Sequence, residues 1–114
     1  MHEVGVAEGI IKRVLDVAAE NNAVSVKTIG LKIGSFSGVE PRSLEFALEC
    51  LKADTLAKDS KVDIEFVIAN GVCAECGKSS SPGAFLSVCT HCGSPLLEIV
   101  SGKEFEISYI DIED

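Results

Sequence analysis

Apolar residues in the first part of the chain recur at helical spacing. Val6, Ile10, Val14, Val17 and Ala18 fall on one side, and Ile11 and Leu15 widen the stripe, so a helix is predicted over residues 6–22, ending at Asn21-Asn22. The period then shortens to two. Ile29, Leu31 and Ile33 alternate with Gly30 and Lys32, which predicts a strand over 24–33. A turn-rich loop follows from Gly34 to Glu40. Pro41 suits the first position of a second helix, where its missing N–H is no loss, and Leu44, Ala47, Leu48 and Leu51 give that helix an apolar face. Beyond a polar connection from Asp54 to Ser60, residues 61–69 alternate again. Val62, Ile64, Phe66 and Ile68 are expected on one face, with Asp63 and Glu65 on the other.

The pattern then breaks. Residues 71–95 hold four cysteines, four glycines and two prolines, with Ser79-Ser80-Ser81-Pro82-Gly83 between the cysteine pairs, and no helical period survives there. Leu96 to Val100 and a turn at Ser101-Gly102 lead into a last strand, in which Phe105, Ile107 and Tyr109 alternate with Glu104, Glu106 and Ser108. The order helix, strand, helix, strand, module, strand predicts an α+β fold. A small sheet of about three strands packs against two helices on one face, and a zinc-ribbon-like module with two C-x-x-C knuckles is inserted before the final strand. The expected division is residues 1–70 with 101–114 as one domain and residues 71–100 as the other.

The module carries the clearest chemistry. Cys73-Ala74-Glu75-Cys76 and Cys89-Thr90-His91-Cys92 are matched pairs, each followed by glycine, Gly77 and Gly93. Two cysteines three apart grip one ion from a single turn, and two such turns supply the four thiolates of a tetrahedral site. Glycine after each pair allows a positive φ, which curls backbone N–H groups towards the sulfurs. Zinc and the single iron of rubredoxin-like proteins both accept such a set. Four protein ligands leave no open position, so the site is expected to hold the fold together and not to catalyse. His91 is expected to be an exposed bystander. Cys50 stands alone on the apolar side of the second helix, where a buried small hydrophobe is expected.

Composition narrows the function classes. Hydrophobic residues are 46% of the chain, aromatics only 5%, and Trp is absent, so a mostly aliphatic core is expected. The net charge is −8, and no basic stripe is visible, which argues against a zinc-ribbon module that binds nucleic acid. No apolar run reaches the roughly 18 residues needed to span a bilayer. The start Met1-His2-Glu3-Val4 has no signal-type run, so a cytoplasmic location and reduced thiols are expected. No nucleophile–base pair, phosphate-binding glycine loop or open metal position points to an enzyme.

Met1-His2-Glu3 is a second concentration of donors. The Met1 amine, the His2 backbone nitrogen and the His2 imidazole can close successive chelate rings, and nitrogen donors in a plane suit Ni(II) or Cu(II). Glu3 adds a carboxylate, and Glu40 approaches if the 34–40 loop folds back.

With both motifs in view, the chain resembles the HypA/HybF family of hydrogenase nickel-incorporation proteins. The resemblance rests on Met1-His2-Glu3, on Leu31-Lys32-Ile33-Gly34-Ser35-Phe36-Ser37 leading to Val39-Glu40, and on the paired cysteine motifs. It spans essentially the whole chain. It implies a nickel-binding domain with Ni(II) as transported cargo on Met1 and His2, with Glu3 adjacent and Glu40 as a further candidate. It implies structural Zn(II) on Cys73, Cys76, Cys89 and Cys92. It also implies delivery to the large subunit of a [NiFe]-hydrogenase together with a maturation GTPase, and in some members to urease maturation proteins. A homodimer is left open beside the monomer. Many relatives carry proline in the second knuckle where this chain has Thr90, a difference that touches no ligand.

Overall fold

A computed structural model describes residues 3–82 and 88–114. Its elements are α1 (Glu3–Glu20), β1 (Ser25–Gly34), α2 (Pro41–Lys52), β2 (Lys61–Val67), β3 (Asn70–Cys73), β4 (Ser79–Ser80), β5 (Leu97–Ser101) and β6 (Phe105–Glu113). Two three-stranded sheets form, in the orders β2-β1-β6 and β4-β3-β5. The α+β class and the pairing of a small sheet with two helices are as expected. By internal contacts the chain divides into one unit of Met1–Leu31, Glu40–Glu65 and Glu106–Asp114 and a second of Lys32–Val39 and Phe66–Phe105.

α1 starts three residues before its apolar pattern. Periodicity is blind to the first turn, where a carboxylate such as Glu3 is favoured instead by the unpaired N–H groups and the helix dipole. The helix buries Ala7, Ile10, Ile11, Val14 and Ala18. It stops where the two asparagines were expected to stop it: Asn22 takes φ 54, and Ala23 N–H closes on the Ala18 carbonyl at 2.9 Å. α1 packs against α2, which buries Leu44, Ala47 and Leu48. Pro41 opens α2 as expected, and Glu40 caps it. The last turn ends on Lys52, only 3% exposed, whose ammonium bonds the Ser60 carbonyl and pairs with Glu49 at 3.1 Å.

β1 supplies the centre of the core, with Ile29, Leu31 and Ile33 at 0–1% exposure. Val26 N–H reaches the Leu56 carbonyl and Ser35 N–H the Val67 carbonyl, so β1 and β2 run the same way, with α2 in the crossover that parallel neighbours require. The bonds Val24 to Glu113 and Gly34 to Glu104 set β6 antiparallel to β1.

Three expectations fail. Cys50 is exposed, because the buried arc of α2 runs through Leu44, Ala47 and Leu48 and leaves Cys50 outside it. Phe66 and Ile68 are also exposed. β2 ends at Val67, and Ala69 N–H turns to the Ser35 hydroxyl at 2.7 Å, so the chain leaves the ladder before the alternation is complete. In β6 the half-buried positions are Ile107, Ile110 and Ile112, not a run from Phe105 through Tyr109. Tyr109 instead lies over Gly30, on the face opposite Ile29 and Leu31, and its hydroxyl donates to Asp63 at 2.5 Å.

Two glycines of β1 therefore differ in kind. A Cβ at Gly30 would stand 2.1 Å from Tyr109 Cε1, a ring that can swing aside at the cost of its bond to Asp63. A Cβ at Gly34 would stand 2.0 Å from the Gly102 carbonyl oxygen, which is main chain. Gly30→Ala is expected to lose about 1–2 kcal/mol and Gly34→Ala about 3 kcal/mol or more in denaturant unfolding. Equal losses would show that the strand relaxes at both places alike.

In the second unit β3 pairs antiparallel with β4 (Gly71↔Ser80) and with β5 (Cys73↔Leu97), with an irregularity between Asn70 and Gly71. Its buried cluster is Cys73, Cys89 and Leu97, with Ile99 packed against it. Among the described residues, no helix is long and apolar enough to cross a membrane.

Candidate metal centre

Each cysteine pair closes a tight turn by the same set of bonds. In the first knuckle, Gly77 N–H bonds the Cys73 carbonyl at 2.9 Å and Cys73 N–H bonds the Lys78 carbonyl at 3.0 Å. In the second, Gly93 N–H bonds the Cys89 carbonyl at 2.9 Å and Cys89 N–H bonds the Ser94 carbonyl at 2.9 Å. Gly77 and Gly93 sit at φ 74 and 76, the left-handed conformation expected after each pair. The turns aim N–H groups at sulfur as expected: Glu75 and Cys76 donate to Cys73 Sγ at 3.3 and 3.4 Å, and His91 donates to Cys89 Sγ at 3.4 Å. The Lys78 and Ser94 carbonyls close the knuckles without any side-chain signal, so sequence reading passes over them.

The two knuckles bring all four sulfurs within 4.8 Å of one another. Cys73–Cys92 and Cys76–Cys89 are each 3.6 Å apart. A disulfide needs about 2.05 Å, so these are not disulfides. A tetrahedron with metal–sulfur bonds of about 2.3 Å has edges of about 3.8 Å, close to the two 3.6 Å separations and inside the 4.8 Å bound on the rest. The donors therefore fit a four-coordinate thiolate metal, and this chemistry takes zinc or iron alike. As whole residues Cys73 and Cys89 are buried and Cys76 and Cys92 exposed, although the sulfurs of the latter two turn into the cluster. His91 is exposed, and its Nε2 lies 3.0 Å from the Ser79 carbonyl oxygen.

Four thiols this close cannot all ionise unaided. Cys89 is pulled down to about 6, first by the Cys92 N–H and then, against burial, by the His91 N–H. Cys73 is lowered chiefly by the Cys76 N–H. The Lys78 N–H favours the Cys76 thiolate, but burial and the neighbouring Cys89 and Cys73 outweigh it and raise that thiol. The Ser94 N–H likewise favours the Cys92 thiolate, yet burial with Cys73 and Cys89 pushes it up to about 12. A divalent cation removes the conflict by its own charge.

The sign of the pH dependence follows. A lowered thiol such as Cys89 stabilises the metal-free fold as its thiolate above the ordinary 9.0, and that contribution fades as pH falls through about 6. Metal uptake at pH 7 must displace protons at least from Cys76 and Cys92. Affinity is thus expected to fall by about 100-fold or more for each unit of acidification, measured by competition with a chelator. A slope of one proton or fewer would mean that fewer thiols take part.

The second set of candidates is only partly in view, since Met1 and His2 lie outside the described residues. Glu3 is buried at the start of α1. The 34–40 loop returns to it: Glu40 N–H donates to a Glu3 carboxylate oxygen at 3.4 Å. The Glu40 carboxylate serves α2, accepting from Arg42 N–H at 3.1 Å, Ser43 N–H at 3.0 Å and Ser43 Oγ at 3.1 Å. Those bonds, the Arg42 and Ser43 N–H groups first, hold it below the usual carboxylate range.

Comparison with known proteins agrees over nearly the full length. The family model for "Hydrogenase/urease nickel incorporation, metallochaperone, hypA" matches residues 1–112. A hydrogenase maturation factor HypA from Acidithiobacillus ferrooxidans is 32% identical, covering 99% of this chain and 100% of that protein. One from Pelodictyon phaeoclathratiforme is 36% identical, covering 100% and 97%. The solution structure of the Ni metallochaperone HypA from Helicobacter pylori superposes with a TM-score of 0.67 at 25% identity, covering 99% of this chain and 98% of that one.

Proposed function

The chain belongs to the hydrogenase/urease nickel-incorporation metallochaperone family, HypA, and from that membership we propose that it carries Ni(II) on its N-terminal residues for delivery to a [NiFe]-hydrogenase, with zinc as a structural ion in the four-cysteine site. The observation that carries the zinc half is the gathering of four cysteine sulfurs within 4.8 Å of one another, enough donors for a four-coordinate ion. The nickel half rests on the match from residue 1 onward and on the donor set Met1, His2 and Glu3.

Each part has a task of its own. The buried Glu3 ties the first turn of α1 to the Glu40 main chain. Glu40 caps α2, and its carboxylate lies beside the same loop as a further candidate donor. On this reading residues 1–70 with 101–114 form the nickel-binding domain and residues 71–100 the zinc domain. Zinc supplies charge to four thiolates and adds to the small apolar cluster of so short a segment. The protein works in the cytoplasm, where the thiols stay reduced, and passes nickel on with a maturation GTPase to the hydrogenase large subunit.

Metal analysis of untagged protein tests both halves. One zinc per chain should survive dialysis, one further nickel should be taken up per chain, and the protein should be colourless before nickel is added. A red protein containing iron would instead make the cysteine site an electron carrier.

A further inference from the structure

Phe46 is 72% exposed on α2, more than any other large apolar side chain described. It does not stand alone. With Val4, Ala47, Cys50 and Leu51 it borders an apolar groove of about 550 Å³, with Arg42 and Ser43 at one end. The core does not explain it, because α2 turns Leu44, Ala47 and Leu48 inward and leaves Phe46 on the far side of the helix. An aromatic ring in water gains nothing for the free protein, and aromatic anchors set in small apolar grooves are what interfaces are built around. Acids outnumber bases around the groove: Glu49 lies one turn from Phe46 and pairs with Lys52, Glu45 lies one turn from Glu49, and Glu8 lies one turn beyond Val4 on α1, all three exposed, against Arg42 in the groove itself.

We propose that this groove between α1 and α2 docks a helix of a partner protein whose apolar face is flanked by Lys and Arg. The inference rests on the nickel-carrier reading in one respect: Val4 follows Glu3 directly, so a partner seated here stands next to the cargo end of the chain. The charge decides between occupants. A second copy of this chain would bring a net −8 against itself, whereas a basic helix would meet Glu8, Glu45 and Glu49, with Arg42 opposing it at one end. An apolar anchor with complementary charges at its rim is the helix-in-groove mode of recognition.

The test uses full-length, zinc-loaded protein and three synthetic 18-residue peptides. One is a leucine–lysine amphipathic helix, one has glutamate in place of lysine, and one is the basic peptide scrambled to destroy its apolar face. The basic amphipathic peptide should shift the amide signals of residues 4–8 and 42–51, with affinity falling as salt rises. Phe46→Ser should weaken it about tenfold or more while zinc content, nickel uptake and melting stay as in wild type. Shifts centred elsewhere, an unchanged affinity in Phe46→Ser, equal binding of the acidic or scrambled peptide, or self-association of the protein through Phe46 would each overturn the proposal. Nickel uptake is read separately in the same samples, so a failure of the carrier reading shows as absent nickel and not as absent peptide binding.

Discussion

Replacing His2 by alanine should weaken nickel binding by about 100-fold or more while zinc content and folding stay unchanged. The reason is the chelate. The Met1 amine and the following backbone nitrogen close one five-membered ring, and the His2 imidazole closes a second ring from that same nitrogen. Nitrogen donors in one plane suit Ni(II), so removing the imidazole opens a ring and takes away the best neutral donor. Residue 2 precedes α1, which begins at Glu3, and the core described is built from residues of α1, α2 and β1 further along the chain, so no loss of stability is expected. Adding a few residues before Met1 should damage binding nearly as much, because an amide replaces the amine. Affinity should climb with pH between about 6 and 8, as the imidazole and then the amine give up their protons to the metal. Titration of nickel into untagged wild type, His2→Ala and the extended form separates these effects. Tight binding by the extended form would remove the amine from the ligand set, and tight binding by His2→Ala would move nickel to other donors.

Loss of one zinc ligand should be as severe for the second unit. Cys92→Ser or Cys73→Ala leaves three thiolates where four are needed, and among the described residues the buried cluster beneath them is Cys73, Cys89 and Leu97 with Ile99. A segment so short and loop-rich is expected to depend on its metal for order, and structural zinc is worth about 10–16 kcal/mol in small zinc-dependent folds. The amide signals of β3, β4 and β5 should collapse towards random coil, while those of α1 and α2 stay dispersed because their contacts are with each other. A variant that keeps one tightly held zinc and an unchanged spectrum over residues 71–100 would show that the four cysteines are not the ligand set.

The cysteine site was legible because its chemistry is local. A C-x-x-C-G turn carries its own geometry: Gly77 and Gly93 adopt the positive φ that the sequence called for, and Glu75 and His91 N–H groups point at sulfur. Only the meeting of the two knuckles is long-range, and repetition of the motif announces it. Helices were legible for a similar reason. Asn21-Asn22 and Pro41 act within a turn of where they stand, so the end of α1 and the start of α2 fell close to expectation. The family match over residues 1–112 agrees with the resemblance carried by Met1-His2-Glu3 and the loop to Glu40.

What the sequence determined by itself, then, is everything set by neighbours a few residues apart: the helical stripes, the strand period, the paired knuckles and the order of elements. Tertiary structure alone decided which apolar residues are buried. Cys50 reads as core and is exposed, because the width of the buried arc on α2 depends on what packs against it. Phe66 and Ile68 continue a clean alternation, yet β2 stops at Val67 where Ser35 takes its carbonyl. Tyr109 leaves its expected row to lie across Gly30 and reach Asp63, a contact spanning three strands that meet only when the sheet has formed. Period-two patterning states which residues share a face, but only the partner strands decide where that face ends and what covers it.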